Sequence, residues 1–274
     1  MPADGALRLN RVRGFVFDVD GTLVHRAPDG TAKPQPGAAG VLERIRVSGR
    51  PLVLFTNGSH IGAEAIAGRL RDDGLPVADE ELLTPVESAI TYLRRRHRDQ
   101  PALLFCSEVI RERIAAAGIP VAGERDDPGV VFVAHVDEAP LATIERAAHA
   151  VWSGAALLTG SYVRAYAGAH GPIISRGAMV AAAIAKGSGA RPKIVGKPSR
   201  AAVAEIGTRL GLPTNELAVI GDDLGMDIAL GKLGGSRTVL VRSGISGAID
   251  LEGVPVHRRP DAVIDGIADL EEML

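Results

Sequence analysis

The feature that most constrains this chain is its alternation of short apolar runs, each closed by turn residues, with amphipathic stretches. Residues 14–19 (GFVFDV), 52–55 (LVLF) and 217–220 (LAVI) are such runs. Runs this short and this apolar suit strands buried on both faces of a sheet. Between the first two, Val41, Leu42 and Ile45 mark one face of a helix, which predicts a βαβ unit with a right-handed crossover. Ile61, Ala65, Ile66 and Leu70 mark the next helix, which Gly74 can end in a left-handed cap before Pro76. The grammar returns near the C-terminus. A helix through Val203, Ile206 and Leu210 stops at Gly211 and Pro213, and a further βα unit runs over residues 221–241. The pattern predicts an α/β fold, a parallel sheet with helices on both faces.

Residues 84–191 carry further strand candidates at 102–106, 130–134 and 155–158, with helices between them, and read as an inserted α/β domain. The expected division is therefore a first core segment at 1–83, the insertion at 84–191 and a second core segment at 192–274. With 46% hydrophobic residues and 274 in all, the chain can bury a large core. Its formal net charge is only −2, which speaks against a nucleic-acid polymer or an anionic membrane as partner. The opening residues lack an apolar h-region, and the apolar stretch at 178–185 is too short to span a bilayer. A cytoplasmic protein is the expectation. One cysteine, Cys106, excludes an internal disulfide, and it reads as a small buried residue.

The candidate chemistry falls at the ends of predicted strands, where open α/β sheets bind ligands. Asp18 and Asp20 stand two residues apart at the end of the first strand, followed by Gly21 and Thr22. Carboxylates crowded in this way need a cation or raised pKa values to coexist. The alternative is a capping Asp in an ordinary turn. Thr56, Asn57, Gly58 and Ser59 end the second strand with a hydroxyl and N–H groups suited to a phosphate oxygen, although the same residues make a plain turn. Lys197, in the segment Val195-Gly196-Lys197-Pro198, offers a cation after an apolar segment and before a helix. A solvated surface lysine is its other reading. Asp222 and Asp223 end the run LAVI, and Asp227 follows at the start of a helix. Acids so placed suit Mg²⁺, or they cap a helix.

Four such sites in the order carboxylate pair, hydroxyl, lysine, acid pair resemble the four motifs of the haloacid dehalogenase superfamily. The matching stretches are DVDGTLV at Asp18, FTNGS at Thr56, VGKP at Lys197 and VIGDDLGMD at Asp222. The run from Ile194 through Val241 looks like the NagD-like, or p-nitrophenyl phosphatase-like, branch, and the long interval between Thr56 and Lys197 is where C2-capped members insert their cap. The resemblance implies a Rossmann-like core with a C2-type cap, and Mg²⁺-dependent hydrolysis of a small phosphorylated metabolite such as a sugar phosphate, nucleotide or phosphoglycolate. It implies that Asp18 is the nucleophile and a metal ligand, and that Asp20 is the general acid/base and lends its backbone carbonyl to the metal. Asp222 would be the further metal carboxylate, with Asp223 and Asp227 behind it. Thr56, Asn57 and Gly58 would bind the phosphoryl oxygens, and Lys197 would bridge them to Asp18. Relatives pair through their caps, which implies a homodimer.

The chain departs from the branch in the cap. Thr159-Gly160-Ser161-Tyr162 replaces the common Thr-Asn-Pro-Asp, and Ile174-Ser175-Arg176-Gly177 stands where a Pro-Gly stretch is common. Specificity is therefore expected near Ser161, Tyr162, Arg164, His170 and Arg176. Two rival readings are a haloacid dehalogenase, which in the family lacks an acid at the position of Asp20, and a regulatory or binding protein on the same fold. A P-loop is excluded, because no Gly stands five residues before Gly196 and Pro198 follows Lys197.

Overall fold

The structure, a computed structural model, describes residues 7–26, 31–168 and 171–274. It divides into two units: Met1–Thr56, Ile66–Leu83 and Val203–Leu274 make the first, and Asn57–Ala65 with Thr84–Ala202 the second. Among the described residues no helix is long and apolar enough to cross a membrane.

The first unit is built on a parallel sheet of six strands, in the spatial order Ala262–Ile264, Arg237–Val241, Leu217–Gly221, Gly14–Phe17, Leu52–Phe55 and Leu82–Leu83. Every residue of Gly14–Phe17, Leu52–Phe55 and Leu217–Gly221 is buried. Strands buried on alternating side chains must be covered on both faces, which is why these runs read as continuously apolar. Helix Ala38–Val47 supplies part of that cover through Ala38, Val41, Leu42 and Ile45, the three-and-four spacing that the sequence carries. From Gly14–Phe17 the chain first builds one side of the sheet and later the other. The sheet therefore reverses its order between Gly14–Phe17 and Leu217–Gly221, and a crevice at such a switch point is where ligands bind. The edge strands Leu82–Leu83 and Ala262–Ile264 and the hairpin of Val24–Arg26 with Ala32–Pro34 lie outside the sequence expectation, being too short to show a period.

The second unit repeats the principle on a smaller scale. Its four strands, Lys193–Ile194, Ala156–Thr159, Val130–Val133 and Ala102–Phe105, are parallel and adjacent in that order. Alternate residues feed two separate cores. Ala102, Leu104, Val130, Phe132 and Leu158 pack with Val86, Ile90 and Ile114 from helices Pro85–Arg96 and Glu108–Ala116. Leu103, Phe105, Val131, Val133 and Leu157 pack with Val151, Val180 and Ile184 from helices Leu141–Trp152 and Arg176–Ser188. Pairing of Lys193–Ile194 with Ala156–Thr159 ties residues beyond 191 into this unit. Likewise Ser59 Oγ accepts the His135 N–H at 3.1 Å and Ser107 Oγ donates to the His60 carbonyl at 3.0 Å, which ties in the segment after Thr56.

Helix Arg176–Ser188 approaches the sheet so closely at Gly177 that a Cβ there would lie 2.3 Å from the Ala134 carbonyl oxygen. That distance is well inside van der Waals contact, and the obstacle is backbone. Gly177→Ala should lower stability by about 1–3 kcal/mol, the usual cost of overpacking, seen as a lower urea midpoint at unchanged slope. An unchanged midpoint would show that the helix start shifts without cost.

Candidate active site

Register brings the acids together. Phe17 pairs with Ile220 on one side and Leu54 on the other, so Asp18, Asp222 and Thr56 all leave the sheet at its carboxyl edge. Asp18 is held at this edge by its N–H, which donates to the Ile220 carbonyl at 2.9 Å. Asp227 comes from the turn Leu224–Ile228 that follows Asp222. The carboxylates of Asp18, Asp222 and Asp227 each offer an oxygen within 4.8 Å of the others, and all three side chains are buried.

The chain around these acids is shaped to keep them there. Asp222 Oδ2 accepts the N–H of Ile245 at 2.7 Å, and the Asp222 carbonyl accepts the N–H of Ser246 at 3.0 Å. Gly244 lies so close that a Cβ would fall 1.8 Å from Asp222 Oδ2. Gly21 also faces Asp222, with φ of 91°, a backbone conformation that favours glycine. Asp227 Oδ2 accepts the Asp223 N–H at 3.2 Å, and Thr22 Oγ1 lies 3.3 Å from Asp18 Oδ2. Buried like charges repel strongly at low dielectric, and the donor set, three hard oxygens on short tethers, suits Mg²⁺.

The remaining predicted residues divide among several places. Asp20 stands apart from the cluster: its side chain is about 43% exposed, and Arg26 Nε lies 2.7 Å from Oδ1 as an ion pair. Oδ1 itself is buried and accepts no hydrogen bond among the described residues. Asp223 caps the following turn, its Oδ1 accepting the N–H groups of Gly225 and Met226, while its own N–H is the one that holds Asp227. Thr56 is buried, with its N–H donating to the Leu83 carbonyl at 3.1 Å. Asn57, Gly58 and Lys197 belong to the second unit. There Lys197 is buried, which excludes the solvated surface lysine. Val195 and Gly196 before it donate to the carbonyls of Thr159 and Gly160.

Of the expected specificity residues, Tyr162 is about 39% exposed, and Ser161 Oγ is buried with no hydrogen-bond partner among the described residues. Arg176 is exposed and bonds Asp137 at 2.5 Å, while Arg164 is exposed and its carbonyl accepts the Ser175 N–H. His170 lies outside the described residues. Burial pushes the Cys106 thiol up to about 11, which makes it a poor nucleophile.

Sequence reasoning missed the loop 242–246, which supplies Gly244 and the N–H of Ile245 to Asp222 and the Ser243 hydroxyl to the Gly21 carbonyl. Its signal was available in part, since Ser243-Gly244 stands one residue beyond the apolar run ending at Val241, and turns after parallel strands line the ligand crevice.

Two family profiles match this chain, the haloacid dehalogenase-like hydrolases over residues 15–120 and a HAD-hydrolase-like family over residues 194–270. Together with the sheet order and the acid cluster, they make the chain a member of the haloacid dehalogenase superfamily of hydrolases. Its place is in the NagD-like branch. It is 28% identical to the ribonucleotide monophosphatase NagD of Escherichia coli K12 over 95% of this chain and 98% of that protein. The solved NagD structure superposes with a TM-score of 0.83, covering 94% of this chain and 98% of that one. A 4-nitrophenylphosphatase from Thermotoga maritima superposes at 0.85 with 26% identity, over 96% and 98%. The dihydroxyacetone phosphatase of Corynebacterium glutamicum is 25% identical over 94% of this chain and 90% of its own length.

Crowding of the three acids makes a direct test. Mg²⁺ should raise Tm, by about 2.7 kcal/mol of added stability at a hundred times Kd. Asp222→Asn should abolish that rise, yet raise Tm in EDTA, because it removes one of the repelling charges. Equal Tm with Mg²⁺ and with EDTA in the wild type would contradict a cation site at these acids.

Proposed function

We propose that this chain hydrolyses small phosphomonoesters with Mg²⁺ bound, through an aspartyl-phosphate formed on Asp18. The observation that carries the reading is the buried Asp18, Asp222 and Asp227 cluster at the switch point of the sheet, with a second kind of carboxylate, the half-exposed Asp20, at the second position after Asp18. Membership of a hydrolase superfamily and likeness to several phosphatases support phosphatase as the enzyme class.

The division of labour follows from environment. A carboxylate is a competent nucleophile at phosphorus only when the charge it approaches is offset. Mg²⁺, when bound by Asp18, Asp222 and the Asp20 carbonyl, with Asp227 beside them, would neutralise charge on the phosphoryl oxygens and orient them. Asp18 attacks phosphorus in line and the ester oxygen departs. Asp20, outside the cluster and half-exposed, protonates that oxygen and then takes the proton from the water that hydrolyses the aspartyl-phosphate. Thr56, with the N–H groups of Asn57 and Gly58, binds phosphoryl oxygens, and Lys197 is assigned the positive charge that offsets theirs. The products are an alcohol and inorganic phosphate, and Asp18 is regenerated.

Nothing in these groups meets the alcohol half of the substrate, so we assign its recognition to the second unit acting as a cap. Support comes from the unpartnered Ser161 hydroxyl, since a buried hydroxyl without a partner costs stability that a ligand can restore, and from exposed Tyr162 and Arg164 beside it. The substrate class is a phosphorylated small metabolite. The relatives span ribonucleotides, dihydroxyacetone phosphate and nitrophenyl phosphate by name, which fits a shared phosphoryl site with variable recognition of the rest.

Asp18→Asn should leave no more than a few per cent of wild-type turnover in protein free of deamidation. Asp20→Asn should slow alkyl phosphates far more than nitrophenyl phosphate, because a weakly basic leaving group needs little protonation. Equal losses for both substrates would remove the acid role from Asp20. Replacing Tyr162 and Arg164 by Ala should reorder kcat/KM across a panel of phosphomonoesters while nitrophenyl phosphate stays within about tenfold, or about 1.4 kcal/mol. A uniform fall across the panel would refute their part in specificity.

A further inference from the structure

We infer that the amino edge of the six-stranded sheet carries a second binding site, for a small molecule bearing phosphate groups. A cavity of about 350 Å³ opens there, lined by Arg11, Arg13 and Arg50 together with Val12, Pro51, Leu210 and Leu212. The segments that form it precede strands Gly14–Phe17 and Leu52–Phe55 and end helix Arg200–Leu210. It therefore lies at the opposite end of these strands from Asp18 and Thr56, and it belongs wholly to the first unit.

Charge in this cavity is unbalanced. Arg13 is paired with Glu216 at 2.6 Å, but Arg11 and Arg50 have no carboxylate partner among the described residues, and no acid lines the cavity. Arg50 is also fixed in place. Its Nε donates to Ser48 Oγ at 2.7 Å, its Nη1 to the Leu9 carbonyl at 3.1 Å, and the guanidinium carbon sits 4.8 Å from the Phe15 ring centroid. Nη2 donates to no acceptor among the described residues, and a guanidinium already anchored through Nε and Nη1 is a preorganised donor to an oxyanion. Burial and the like charge of Arg44 pull Arg50 below the ordinary arginine value, the direction expected of a cation lacking its counter-ion.

The apolar side of the cavity decides the ligand class further. Leu210 and Leu212 are half-buried, so they offer surface to an organic body while the arginines take its phosphates. The concave form and the chain's net charge of −2 favour a small anion over a nucleic-acid polymer. This site does not depend on the proposed phosphatase chemistry.

Calorimetric titration of the whole protein with pyrophosphate in EDTA at low salt tests it, because without metal the acid cluster repels anions. Wild type should bind one equivalent, Arg11→Ala should bind at least about tenfold more weakly, and Lys197→Ala should bind as wild type does. Arg11 is exposed and makes no bond among the described residues, so its variant should fold, which a matching Tm confirms. The inference is overturned if wild type does not bind, if Arg11→Ala binds equally well, or if Lys197→Ala loses the binding.

Discussion

Three carboxylates buried within 4.8 Å of one another form an arrangement that a protein interior resists, since each raises the cost of ionising the others. Much of the first unit can be understood as the means of holding that arrangement. Asp18 is pinned by the sheet ladder, Asp222 by the Ile245 N–H, and Asp227 by its bond to the Asp223 N–H. The glycines at 21 and 244 allow the backbone to approach Asp222 where any side chain would collide. Such constraints give a cation a formed site and leave Asp18 little freedom to turn away from it.

Asp20 illustrates the opposite solution. Only Val19 separates it from Asp18, yet the turn at Gly21 and the hairpin of Val24–Arg26 with Ala32–Pro34 put its carboxylate beside Arg26, about 43% exposed. Two carboxylates in such different surroundings can take different chemical roles, one as nucleophile and one as proton carrier, which is the pattern expected when environment sets function. The second unit has its own parallel sheet and its own two cores, and so owes its stability to packing of its own.

Much of this was legible in the sequence because the decisive strands are buried on both faces. Residues 14–17, 52–55 and 217–220 are continuously apolar for that reason, and each is followed at once by the side chains that matter, so strand and site were read from the same stretch. The edge strands Leu82–Leu83 and Ala262–Ile264 could not be read, since two or three residues carry no periodicity. Asp223 and Asp227 show a subtler limit. The sequence expectation sets both behind the other acids, and in one turn the fold brings a carboxylate oxygen of Asp227 into the cluster while Asp223 caps N–H groups and gives its own N–H to Asp227. For the backbone support at Gly244 and Ile245 the sequence shows a turn after a strand, but not its partner Asp222, which stands more than twenty positions away.

The central claim, covalent catalysis by Asp18, is tested most directly by trapping the acyl phosphate. Borohydride added during steady-state turnover reduces an aspartyl-phosphate to homoserine, and peptide mass spectrometry then finds the modified position. The account predicts homoserine at position 18, dependent on substrate and on Mg²⁺. Active turnover with no reduction at Asp18, or reduction at another carboxylate, would contradict it.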